Sequence, residues 1–219
     1  MKRTLILSAK ILSVAFSPFY APLWAYIWLF LFSRFSVMTT GYKLYMMVMV
    51  AAFTIIIPRL TIYVFRRLNN WSRWQISHRQ HRHIPYLLSL LSYATCFMLM
   101  TQTNTWMFFR SIIMAALVAQ AICFIVNVWW KISTHMVGMG GLLGMVISFS
   151  FVFYFNPLLP MCVLILLSGL LGTARMILRQ HSLMQILVGY LVGMTCSLCF
   201  LLTPWYDLFA QLHSSTFGS

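Results

Sequence analysis

The chain has 219 residues, of which 62% are hydrophobic, 16% aromatic and only 7% charged. A soluble domain carries about 25% charged residues, so this composition belongs to a protein that lives in lipid. The formal charge is +14, from 15 Lys and Arg against one acid, Asp207, which excludes carboxylate-bridged metal sites, paired-carboxylate glycosidases and aspartic dyads.

A membrane-spanning helix needs about 20 mostly apolar residues. The first candidate runs over about 12–33. Met1-Lys2-Arg3 resembles the start of a signal peptide, but Lys10 interrupts the apolar stretch and no small-x-small cleavage site follows. The segment is therefore read as a retained first span. Further candidates follow at about 41–64, 85–102, 107–130, 136–155, 157–173 and 184–203. The sixth is short and bracketed by Asn156, Pro157 and Pro160, which predicts an irregular start. The fold class is all-α: a polytopic helical bundle of six to seven transmembrane helices, in a single membrane domain over 1–219.

Between the second and third spans lies the one sizeable hydrophilic stretch, about 66–84, rich in Arg, His, Gln and Trp. Trp71 and Trp74 place it at the interface. His78, His81 and His83 lack a nearby Asp, Glu or Cys, so no metal site is read there. All five cysteines (Cys96, Cys123, Cys162, Cys196, Cys199) fall in apolar segments and read as packing residues. The cations lie between apolar segments, so their partners are anionic lipid headgroups rather than nucleic acid.

Two polar islands interrupt the later spans. One is Lys131-Ile132-Ser133-Thr134-His135; the other runs from Arg175 through Arg179, Gln180, His181 and Ser182 to Gln185. Each sets a histidine beside a cation. Two histidines with arginines and no carboxylate are the components of metal-free phosphoryl transfer through a phosphohistidine. Gly140-x-x-x-Gly144 and Gly189-x-x-x-Gly193 follow one to two turns beyond the islands. They predict a close helix approach that holds the islands together.

Seven spans put the N-terminus and the segments 66–84, 131–135 and 174–183 on one side. That side holds most of the Lys and Arg, including Arg66, Arg67 and Arg73, and the positive-inside rule makes it cytoplasmic.

The islands resemble the motifs of the type-2 phosphatidic acid phosphatase superfamily. That family carries a Lys/Arg-rich stretch ending in Arg-Pro, then Pro-Ser-Gly-His, then Ser-Arg-x5-His-x3-Asp. Ile132-Ser133-Thr134-His135 matches the second motif at Ser and His; Arg175, His181 and Gln185 fall at the third motif's spacing. Arg79-Gln80-His81-Arg82-His83-Ile84-Pro85 is a variant of the first, with Gln75 where the family has Lys. The resemblance covers about 79–195.

It implies a bacterial inner-membrane lipid phosphatase that hydrolyses a phosphomonoester or pyrophosphate on a lipid, without cofactor, metal or obligate protein partner. His181 is then the nucleophile and His135 the acid–base residue. Arg175, Ser133, Thr134, Arg82, Arg79 and Lys131 form the phosphate cradle. Arg79 and Arg82 also read as positive-inside topology signals, Arg79 more so than Arg82, and Lys131 as a snorkelling helix-end lysine. Gln185 stands where the family has Asp. A Gln oxygen at i+4 orients the His181 ring but supplies no negative charge; the same residue also reads as the end of a capping box from Ser182. The alternative function is a relative with weakened or lost catalysis that binds anionic lipid headgroups.

Overall fold

In lipid every backbone N–H and C=O must be paired within its own segment, so uncharged apolar runs become helices. The computed structural model describes residues 2–68 and 83–203, and every regular element in them is helical. Six segments of 20–29 residues are long and apolar enough to cross a membrane. A seventh, Tyr86–Gln102, is shorter. At 1.5 Å per residue, 20 residues rise about 30 Å, the thickness of the hydrocarbon layer. The protein is an integral membrane protein built as a helical bundle.

The expected first span is two helices, not one. Helix α1 (Lys2–Ala15) starts well before residue 12, and α2 (Ala21–Phe32) continues after a break. The cause is Ser17-Pro18: Pro18 disfavours helical backbone at the residue before it, and Ser17 sits at φ −61°, ψ 143°. Helices α3 (Thr40–Ala51) and α4 (Ile57–Leu68) form one span through a widened turn over Ala52–Ile56. Pro58 has no N–H to pair with a carbonyl one turn back. Ser92 meets part of that deficit by donating to the Phe53 carbonyl at 2.5 Å.

Helices α5 (His83–Gln102), α6 (Met107–Trp129), α7 (Thr134–Phe153), α8 (Leu158–Ile177) and α9 (Leu183–Leu202) complete the bundle. Helix α7 is the most buried span; α9, α8, α6 and α2 all pack on it, and α1 packs on α8. The start of α8 is regular, against expectation. The Leu158 amide is capped by Asn156 Oδ1 at 2.9 Å, and Pro160 falls in a first turn whose amides have no intrahelical acceptor. Helix α8 also runs further than expected, so Arg175 belongs to its last turn rather than to a loop. Residues 69–82, with Arg79, Arg82 and the two tryptophans, and 204–219, with Asp207, lie outside the described residues. So does the side chain of His83.

Candidate functional site

Glycine brings the two islands together. A Cβ on Gly140 would run into the Tyr190 carbonyl, and one on Gly193 into the Val137 carbonyl. A Cβ on Gly189 would lie 2.7 Å from the Ser133 carbonyl oxygen. Helices α7 and α9 thus touch backbone to backbone, as the two small-residue motifs predict. The contact continues into the islands: the Ser133 amide donates to the Gln185 carbonyl at 3.3 Å. Lys131 Nζ donates to the Gln180 carbonyl at 2.6 Å, a second tie between them.

The half-buried His181 ring has a defined orientation. Its Nδ1 lies 3.1 Å from Gln185 Oε1, and the same oxygen accepts the Ser182 amide at 3.2 Å. Both readings of Gln185 therefore hold together. An amide oxygen only accepts, so Nδ1 carries the proton and the ring's lone pair is on Nε2.

On the opposite side, Ser133 precedes α7 and its side chain makes no capping bond. The amides of Thr134 and His135 begin the helix, where N–H groups lack intrahelical acceptors and favour an anion. The Ser133 hydroxyl is fully buried with no hydrogen-bond partner. His135 Nε2 lies 3.1 Å from the Ser13 carbonyl oxygen. A carbonyl only accepts, so Nε2 is protonated and Nδ1 holds the lone pair. That Nδ1 is buried and has no partner.

Arg175 is held by the way α8 ends. Gln180 N–H donates to the Arg175 carbonyl at 3.1 Å and Arg179 N–H to the Met176 carbonyl at 2.9 Å, with Arg179 at φ 52°. This pair of bonds is a Schellman motif with Arg179 in the position usually taken by glycine. It turns the chain from α8 towards His181. Arg175 is 8% exposed and its Nε has no partner. Arg175 and His181 both lie within electrostatic reach of His135. His181, His135, Gln185, Arg175, Ser133, Thr134 and Lys131 thus belong to one end of the bundle, while Arg79 and Arg82 lie outside the described residues. The sequence motifs do not point to Ser13. It reaches the site only because α1 folds back against α8, and nothing local to Ser13 signals that contact.

A cavity of about 340 Å³ adjoins the site. Thr134 and His135 form part of its wall, and Ala115, Ala119, Tyr93 and Gly138 line its mostly apolar interior. No family model, curated protein or solved structure matches the chain.

Proposed function

We propose that the protein is a membrane-embedded lipid phosphatase that hydrolyses a phosphomonoester or pyrophosphate of a lipid through phosphohistidine. One observation carries this reading. Ser133 Oγ, His135 Nδ1 and Arg175 Nε are buried without partners, at the end of the bundle where His181 has its lone pair on Nε2. Buried polar groups are almost always paired; the Ser133 hydroxyl and the charged Arg175 Nε–H are donors that call for an anion, and the His135 Nδ1 lone pair suits a phosphate that still carries a proton. The apolar cavity beside His135 supports a ligand that carries a hydrocarbon chain as well as a phosphate.

The chemistry follows from the ring positions. Arg175 and Ser133 hold the phosphate oxygens. His181 Nε2 attacks phosphorus as the bond to the lipid oxygen breaks. His135 Nδ1 takes the proton of the phosphate monoanion and passes it to the leaving lipid oxygen. Water then attacks phosphorus as the P–N bond to His181 Nε2 breaks, its proton passes through His135 Nδ1 to the departing phosphate, and His181 is regenerated. The balance is one water consumed, with one alcohol and one dihydrogen phosphate released. Lys131, Arg175 and Arg179 share the site's end of the bundle. The positive-inside rule supports the cytoplasmic face of a bacterial inner membrane.

Gln185 favours one second reading: a neutral amide orients His181 without stabilising the imidazolium that catalysis builds, leaving a binder of anionic lipid headgroups. The test is phosphate release by the detergent-solubilised protein from a panel of lipid phosphates and pyrophosphates in EDTA. The enzyme reading expects release that falls at least about 10⁴-fold in His181→Ala. Binding of the panel without release, in folded protein, selects the binder.

A further inference from the structure

We infer that Ser13, on the N-terminal helix, is a fourth contact of the phosphate site, its hydroxyl donating to a phosphate oxygen. This rests on the phosphate-site reading above and extends it to α1, where the sequence motifs place nothing. Ser13 is 8% exposed, and its Oγ has no partner. That is unusual for this chain. The hydroxyls of Thr54, Ser111, Ser148 and Ser168, all buried on helices, donate to the carbonyl four residues back at 2.6–3.0 Å.

Such a back-bond is the ordinary way to satisfy a helical serine. Ser13 is left without it, and its own carbonyl is the group that holds His135 Nε2 at 3.1 Å. Its helix also packs against α8, which carries Arg175. Ser13 Oγ, Ser133 Oγ and Arg175 Nε are therefore three buried donors, on three packed segments, that nothing among the described residues satisfies. A phosphate has the oxygens to accept from all of them. In this arrangement the Ser13 backbone orients the acid–base histidine while its side chain grips the anion.

The test is the midpoint of thermal unfolding of the full chain in detergent, titrated with inorganic phosphate and, separately, with a short-chain lipid phosphate. In wild-type protein both ligands raise the midpoint. Ser13→Ala is expected to unfold at the same temperature or higher without ligand, because it deletes an unpaired buried hydroxyl. Its Kd should be about tenfold weaker for both ligands, the loss of one hydrogen bond to a charged group. Ser13→Thr should recover wild-type affinity.

An unchanged phosphate Kd in Ser13→Ala overturns the inference while leaving the site intact. A loss confined to the lipid ligand also overturns it, since Ser13 would then touch the lipid body and not the phosphate. No stabilisation of the wild type by either ligand removes the phosphate site itself. If Ser13→Ala does not fold, Ser13→Cys, which keeps the shape with a weak donor, replaces it. Failure of both to fold would make the hydroxyl structural and end the proposal.

Discussion

The two ends of α7 are built on different principles. At the end near Phe153, tilted aromatic rings fill the space: Phe108 packs on Phe149 at 4.7 Å between centroids, Phe35 on Phe109 at 5.0 Å and Trp28 on Phe149 at 5.7 Å. The polar atom that enters this cluster is satisfied, Tyr26 OH donating to the Phe109 carbonyl at 2.7 Å. At the Ser133 end, bulk is replaced by glycine and the helices touch through their backbones. There Ser13 Oγ, Ser133 Oγ, His135 Nδ1 and Arg175 Nε have no partner. The other unpartnered buried side-chain atoms among the described residues are Arg66 Nε on α4 and Arg110 Nε and Asn127 Nδ2 on α6. Each unpaired group costs about 1–3 kcal/mol, whereas an aromatic pair contributes about 0.5–1.5 kcal/mol beyond burial. One end is arranged for stability, and the other carries a standing deficit.

That contrast is open to direct attack. The largest effect on stability is expected from Phe109→Ala. Phe109 is fully buried and contacts Tyr26, Phe30, Phe35 and Tyr42, so unfolding in detergent should lose about 3–5 kcal/mol. Turnover per folded molecule should stay at the wild-type value; a loss of turnover would show that the two ends are not separable. Gly193→Ala comes next. Its methyl has no room against the Val137 carbonyl, and overpacking of this kind costs about 1–3 kcal/mol. Here stability and phosphate release should fall together, because the islands separate. Full activity in this variant would mean that glycine contact does not set the site.

The smallest effect, and the most informative about chemistry, is Gln185→Glu. The length is conserved, so the bonds to His181 Nδ1 and Ser182 N–H survive and a negative charge is added beside the forming imidazolium. Phosphate release should rise about tenfold. An unchanged rate would reduce Gln185 to a helix cap.

Much of this was legible in the sequence because lipid imposes local rules. Each apolar run of sufficient length became a helix, and the small-residue spacings at Gly140, Gly144, Gly189 and Gly193 marked the seam that joins the islands. Ser182 and Gln185 read correctly as a capping box, since that motif is written within four residues. The misreadings have physical reasons too. Hydropathy carries the first span across Ser17-Pro18 because it does not register a backbone break. Hydropathy puts Arg175 in a loop because a charge looks like a boundary, yet the helix runs on to Ile177 and the Schellman bonds end it there. Ser13 was invisible: its role depends on α1 folding against α8, a contact that no local pattern encodes.

The proposed mechanism requires that His181 Nε2 become bonded to phosphorus. The most direct measurement is rapid quenching of the protein with a ³²P-labelled lipid phosphate, followed by mapping of the bound label. The account predicts a base-stable, acid-labile phosphate on the peptide carrying His181, formed faster than phosphate release and absent from His181→Ala. Steady phosphate release with no label on His181, or with label on Ser133 instead, would contradict it.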